Sequence, residues 1–276
     1  MLETDTSILV DGQASDSIAV TDRALYYGDG LFETIAIRAG KPQLWQAHMA
    51  RLQQGCARLG IPMPDQVILA SEAGQLCAGQ SQAVLKILIS RGSGGRGYRA
   101  PSAPCPRRVL LRYPWPAQTD WWQSGAHLIH CQTPLGCNPA LAGIKHLNRL
   151  EQVLGRNEWQ DEGIHEGLMC DRDGYVIEGT MSNLFALRDG QWLTPDLSGC
   201  GVDGVMRQAM LSMCDEQGLA CQIRPIRVSE LAQMDELLIC NSLIGLVPVR
   251  SLAGQSYPIT QGQQLQQAML SWLEQH

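Results

Sequence analysis

The sequence predicts an α+β chain of two domains, and three observations carry that prediction. Short apolar runs with strand alternation, bounded by turn residues, recur along the whole length. Helical periodicities fall between groups of strands instead of alternating with single ones, which disfavours a doubly wound parallel sheet. The stretch PWPAQTDWWQSG, Pro114 to Gly125, is rich in Pro, Gly and polar residues and lacks periodicity. The expected division is an N-terminal α/β domain at 1–115, a linker at 116–124 and a C-terminal mixed α/β domain at 125–276. A chain of 276 residues, 45% hydrophobic and 17% charged, is long and apolar enough for two such cores.

In chain order, SILVDG and SIAVTD read as strands, and FETIAIRAGKPQLW as a hairpin turning at Ala39-Gly40-Lys41. Met49, Leu52, Cys56 and Leu59 recur at helical spacing over Gln46 to Leu59, a pattern that Gly60 and Pro62 end. A weaker helix follows Pro64. AVLKILIS places Leu85, Ile87 and Ile89 on one face of a strand, RVLLRYPW is its return, and the Gly- and Pro-rich RGSGGRGYRAPSAPCP between them is too long for a plain hairpin turn. AHLIHCQ is a strand. In LAGIKHLNRLEQVLGR, the residues Leu147, Leu150, Val153 and Leu154 mark a helical apolar face, with Lys145 at the helix start. GLMCDRDGYVIEGTMSNLFALRDGQWLTP is a strand meander joined by two Arg-Asp-Gly turns. SGCGVDGVMRQAMLSMCDEQGL is a Gly-rich turn entering an amphipathic helix, and the strands LLICN and LVPVRSL precede a final helix, QQLQQAMLSWLEQ.

A net charge of -6, from 21 Lys+Arg against 27 Asp+Glu, excludes a general nucleic-acid surface. MLETDTSILVDG is acidic without the apolar centre of a secretory signal, and no run approaches the ~18 apolar residues of a membrane span. A cytoplasmic protein is expected. The 10 cysteines form no C-x-x-C pair and no zinc spacing, so they read as reduced, mostly buried thiols, with no metal site.

Several residues could carry chemistry. Lys145 is a solvated charge or, flanked by Ile144 and Leu147 at a helix start, an amine of lowered pKa suited to act as nucleophile or base. Glu178, in GYVIEGTMSNLF, is a strand-edge carboxylate or a buried partner for a protonated ring nitrogen. GCGVDGVMR sets Gly201 and Gly204 ahead of a helix beginning near Val205, where backbone N–H groups can bind phosphate; such turns are also common without a ligand. Arg51, in HMARL, is a surface charge or a phosphate clamp. Arg91, Arg96 and Arg99, with Tyr98, lie in the glycine loop, where guanidinium groups suit carboxylates or simply face water.

Together DRALYYGDGLFET, HMARL, SRGSGGRGY, LAGIKHLNRLEQVL, the EG…NLF pair, GVDGVMRQ and LLICNSLIGLVPV resemble the fold type IV pyridoxal-phosphate enzymes, the superfamily of branched-chain and D-amino acid aminotransferases. SRGSGGRGY and GIKHLNRLEQVL resemble its lyase branch, which acts on 4-amino-4-deoxychorismate in folate biosynthesis. The resemblance implies a homodimer that releases 4-aminobenzoate and pyruvate. It implies that Lys145 forms the internal aldimine and, once freed, takes the ring C4 proton. Glu178 then pairs with the pyridine nitrogen, and Arg51, the N–H groups of Val205 and Met206 and the Ser242 hydroxyl hold the phosphate. A Thr is common in the transaminases where Met206 stands, so Met206 offers only its backbone. Thr34 is the candidate for helping proton transfer to the leaving oxygen, and Arg96, Arg91 and Tyr98 for binding the substrate. The rivals are an aminotransferase of the same fold and a non-catalytic binding protein.

Overall fold

The computed structural model describes residues 7–117 and 120–275. Residues 1–6 of the acidic N-terminal stretch, and Gln118 and Thr119 of the expected linker, lie outside the described residues. The chain divides into two compact units, one of Met1–Ala117 with Ile144–Asn148 and the other of Gln118–Gly143 with Arg149–His276. Lys145, placed by the sequence in the C-terminal domain, groups with the first unit.

The first unit contains β1 (Ser7–Val10), β2 (Gln13–Ala14), α1 (Arg23–Tyr27), β3 (Gly30–Arg38), β4 (Lys41–Pro42), α2 (Trp45–Leu59), α3 (Gln66–Leu76), β5 (Gln82–Ser90) and β6 (Arg107–Tyr113). Its six-stranded sheet runs β2-β1-β6-β5-β3-β4, antiparallel throughout. Ala39 and Gly40 take φ of 48° and 74°, the two left-handed positions of a tight hairpin turn. Strand alternation buries Leu31, Glu33, Ile35 and Ile37 on one face of β3, and Leu85, Ile87 and Ile89 on β5. Met49, Leu52 and Cys56 of α2 are buried in turn, and α2 packs on β3. The helix stops at Gly60, whose φ of 63° and backbone N–H bonds to the Ala57 and Cys56 carbonyls form a left-handed cap.

SIAVTD is not a strand. Asp22 takes the N-cap of α1, accepting the Ala24 N–H at 2.9 Å and the Ser90 hydroxyl at 2.9 Å, so the expected strand gives way to a helix entry. Lys145 is not at a helix start either. Residues 144–148 run beside β3: Leu31 bridges His146, the Phe32 N–H donates to the Lys145 carbonyl at 2.9 Å, and the Leu147 N–H donates to the Gly30 carbonyl at 3.0 Å.

The second unit contains α4 (Trp121–Ser124), β7 (Ala126–His130), α5 (Leu150–Arg156), β8 (Glu166–Cys170), β9 (Val176–Gly179), β10 (Asn183–Arg188), β11 (Gln191–Pro195), α6 (Val205–Gln217), β12 (Cys221–Arg224), a short 3-10 turn (Val228–Gln233), β13 (Glu236–Asn241), β14 (Gly245–Leu252), β15 (Gln255–Ser256) and α7 (Thr260–Leu273). The sheet runs β12-β11-β10-β13-β14-β7-β8-β9, with β15 added to β14. It is mixed: β11 with β12, β14 with β7 and β7 with β8 are parallel. Leu128, Leu168, Val176, Leu184, Leu237, Ile239 and Val247 share one aliphatic core.

The helical stripe read after Lys145 forms only α5, and it faces water: Leu150, Val153 and Leu154 are 76%, 51% and 58% exposed. All ten cysteines are free; Cys105 and Cys137 are exposed, and only Cys56, Cys77, Cys200, Cys214 and Cys240 are fully buried.

Candidate active site

In the first unit the candidate residues gather on β3 and its neighbours. Phe32 and Thr34 point to the face of β3 opposite Glu33, and Thr34 stands across from Lys86 in the register with β5. The Lys145 amine lies 4.6 Å from the Phe32 ring centroid, and the Lys86 amine 5.2 Å from the same centroid. Burial lowers the pKa of Lys86. Lys145 is half-buried, held through its backbone to β3, an arrangement quite unlike a flexible surface lysine.

Behind that face, Arg51 and His48 project from successive turns of α2 onto Glu33. Arg51 donates Nε to Glu33 Oε1 at 2.9 Å and a terminal nitrogen to Oε2 at 2.5 Å, a side-on pair, while His48 Nδ1 meets Oε2 at 2.6 Å. Burial pushes the Glu33 pKa up, but the Arg51 charge and the hydrogen bonds from His48 and Arg51 outweigh it and hold the carboxyl at about 2. His48 is pulled down, first by burial, with the charges of Arg51 and Lys145 adding to it against the pull of Glu33.

The glycine loop separates its arginines into two kinds. Arg91 is buried, and its guanidinium donates to Asp29 Oδ1 and Oδ2 and to the carbonyls of Leu59 and Gly60 at 2.7–3.0 Å. Those bonds fasten the start of the loop to the end of α2, so Arg91, a candidate for binding substrate, also anchors the loop. Arg96 and Arg99 are exposed, and Tyr98 is 87% exposed. Arg23 holds the loop tip by donating to the carbonyls of Gly97 and Tyr98, each at 3.0 Å.

In the second unit Glu178 is 4% exposed on β9. Its Oε2 accepts the Val202 N–H at 2.8 Å, and Oε1 accepts from Gln152 Nε2 at 3.3 Å. Gly201, with φ of 86°, passes so close that a Cβ there would lie 2.7 Å from Ile177 Cγ2. Asn183 donates to the Val202 carbonyl at 2.9 Å, and a Cβ on Gly204 would fall 1.9 Å from Asn183 Oδ1. The turn therefore requires glycine at both positions.

Gly204 is the N-cap of α6 and supplies no side-chain acceptor, so the first N–H groups of Val205 and Met206 lack the intrahelical carbonyls that later residues have. The Met206 side chain is 3% exposed and belongs to the core, leaving its backbone as the polar group, as read from the sequence. Ser242 lies in the turn between β13 and β14, which Asn241 shapes by accepting the N–H groups of Leu243 and Ile244 at 2.9 and 3.0 Å.

Four residues escaped the sequence reading. Glu33 is bound by His48 and Arg51 across a strand–helix contact that no local pattern marks, and neither Glu33 nor His48 was singled out. Gln152 reaches Glu178 from α5. Glu166, 1% exposed, gathers the turn after Glu178: its Oε1 accepts from the N–H groups of Gly167 and Thr180 and the Thr180 hydroxyl, its Oε2 from the Met181 N–H and the Ser182 hydroxyl.

A model of the amino-transferase class IV family matches residues 30–252. The chain belongs to that family. The chain is 37% identical to the aminodeoxychorismate lyase of Vibrio harveyi over 88% of its own length and 90% of the relative's. Among solved structures, the 4-amino-4-deoxychorismate lyase of Pseudomonas aeruginosa is 45% identical, covers 96% of this chain and 98% of its own, and superposes with a TM-score of 0.92. A class IV fold is also shared with a hypothetical aminotransferase of Mycobacterium tuberculosis in its PLP-bound form, 22% identical over 98% of this chain and 99% of that one, at a TM-score of 0.84.

Proposed function

We propose that this class IV protein is a pyridoxal-phosphate-dependent lyase converting 4-amino-4-deoxychorismate to 4-aminobenzoate and pyruvate, a step of folate biosynthesis. The observation that carries the reading is the end-to-end likeness to two lyases of that name, at 37% and 45% identity. The donor set fits the cofactor. An amine fixed through its backbone, a buried carboxylate already accepting two hydrogen bonds, a guanidinium and uncapped helix N–H groups match an aldehyde, a pyridinium nitrogen and a phosphate dianion.

When bound, pyridoxal phosphate supplies an electron sink for a carbanion formed beside the substrate amine. Lys145 would hold the cofactor, and its amine would serve as the base that takes the proton from ring C4 of the substrate. Glu178 accepts the hydrogen bond of the cofactor's ring nitrogen and keeps it protonated; burial of this carboxylate keeps water from competing. Arg51, the N–H groups of Val205 and Met206 and the Ser242 hydroxyl hold the phosphate. Thr34, on the same strand face as Phe32, helps a proton reach the leaving enolpyruvyl oxygen. Arg96 and Tyr98 meet the substrate's carboxylates. Aromatisation of the ring drives the elimination, so the protein has to lower only the barrier to proton removal.

We place the enzyme in the cytoplasm as a homodimer. Ten free thiols suit a reducing compartment, and no helix among the described residues is long and apolar enough to cross a membrane. Leu150, Val153 and Leu154 on α5 form an exposed apolar stripe of the kind that a second subunit covers. Supplying the purified protein with 4-amino-4-deoxychorismate tests the activity: pyruvate is expected. No pyruvate, together with conversion of the cofactor to its amine form by glutamate or a D-amino acid, would establish an aminotransferase instead.

A further inference from the structure

We infer that Glu33 is a positioning residue which, acting through Arg51, sets the protein's grip on the cofactor's phosphate. The inference rests on the reading that Arg51 holds that group. Strand alternation turns Glu33 into the aliphatic face of β3, between Leu31 and Ile35, where it is 1% exposed. A carboxylate gains nothing there by packing, and its burial is tolerable only because α2 brings two partners to it. His48 and Arg51, three residues apart, share one face of that helix.

The Arg51 pair fixes how the guanidinium is presented: Nε and one terminal nitrogen are turned to the two oxygens of Glu33, which sets the guanidinium plane. His48 completes the clamp from the other side of Oε2 at 2.6 Å, and its Nε2, fully buried, has no partner among the described residues. The preceding residue on β3, Phe32, donates its N–H to the Lys145 carbonyl and lies under the Lys145 amine. One strand therefore sets both the guanidinium, through Glu33, and the lysine, through Phe32.

Glu33 also opposes the positive charge of Arg51, which by itself would weaken attraction for a phosphate dianion. Orientation and charge thus predict opposite results when the carboxylate is neutralised, and a positioning role requires orientation to win. The test is titration of the cofactor-free protein with pyridoxal phosphate and, separately, with pyridoxal, which lacks the phosphate. For Glu33→Gln we expect pyridoxal phosphate to bind about tenfold more weakly, while pyridoxal binding changes by less than about twofold. The double variant Glu33→Gln/Arg51→Gln should bind no more weakly than Arg51→Gln alone, because Glu33 acts through Arg51.

Unchanged or tighter binding of pyridoxal phosphate by Glu33→Gln, or equal weakening for both ligands, would overturn the inference. If Arg51→Gln itself leaves pyridoxal phosphate binding unchanged, the phosphate reading of Arg51 falls and the inference falls with it; loss in Arg51→Gln but not in Glu33→Gln overturns the inference alone. Should Glu33→Gln fail to fold, Glu33→Asp keeps the charge but withdraws the oxygens. The same selective loss is then expected, and no loss, or parallel loss for both ligands, contradicts it.

Discussion

Replacing Glu166 by Gln should destabilise the second unit without leaving a cavity, and the size of the effect follows from the bonds described above. The amide oxygen can occupy the Oε1 position and keep the donors from Gly167 and Thr180, the latter's hydroxyl at 2.6 Å and N–H at 3.0 Å. The amide nitrogen then stands where Oε2 accepts the Met181 N–H at 3.2 Å and the Ser182 hydroxyl at 2.8 Å. The hydroxyl can rotate and accept instead, but the Met181 N–H faces another donor. One charge-assisted bond is lost and the others lose their ionic character, a cost of about 2–3 kcal/mol. For a domain of this size that corresponds to a fall in Tm of roughly 5–10 °C. Urea unfolding at pH 7 measures the cost, and hydrogen exchange should show faster opening of the Thr180 and Met181 amides. A change below about 0.5 kcal/mol, with exchange at those amides unaltered, would refute the view that Glu166 holds the turn following Glu178.

Three further outcomes follow from the same geometry. Gly204→Ala should cost about 1–3 kcal/mol in urea unfolding, because the new Cβ would fall 1.9 Å from Asn183 Oδ1 and displace the amide that bonds the Val202 carbonyl. Glu33, whose pKa is held at about 2 in the folded protein against an ordinary value of 4.5, should contribute stability that is full above about pH 4.5 and is lost as pH falls toward 2. That contribution is on the order of 3 kcal/mol, so Glu33→Gln should flatten the pH dependence of unfolding over this window. Arg91→Ala should destabilise the first unit by about 2 kcal/mol, leaving Asp29 with Arg23 alone and the Leu59 and Gly60 carbonyls without their donor, whereas Arg96→Ala should leave unfolding within about 0.5 kcal/mol and instead raise KM for the substrate.

The sheets were legible wherever burial alternates along one strand. β3, β5, β9 and β10 announce themselves by Ile, Leu and Val at every second position or in short unbroken runs, and the hairpin at Ala39-Gly40 by its turn chemistry. Misreadings arose where a distant partner overrides local pattern. Lys145 looked like a helix start because Leu147, Leu150, Val153 and Leu154 share a helical period, but residues 144–148 pair with β3, far away in sequence, and α5 begins only at Leu150. SIAVTD alternates like a strand, yet the Asp22 carboxylate competes successfully as a helix cap.

The candidate site divides in the same way. Lys145, Glu178 and the turn before Val205 were visible because their residue types and order match a known family. The anchoring bonds of Arg91 were not legible, since its contacts with Asp29 and with the Leu59 and Gly60 carbonyls depend on how the loop folds back on α2. Glu33 and Glu166 left no trace in the sequence: each is a charged residue at a strand position, and only the tertiary fold shows that it is buried and surrounded by donors.

Borohydride reduction of the pyridoxal-phosphate-loaded protein, followed by peptide mass analysis, tests the central assignment most directly. Lys145 and Lys86 both bring an amine over the Phe32 ring, at 4.6 and 5.2 Å, so the measurement distinguishes two real alternatives. The phosphopyridoxyl mass is predicted on the peptide containing Lys145, and the Lys145→Ala protein should retain none of it. A stable adduct on Lys86, or one that survives the Lys145→Ala substitution, would contradict the account.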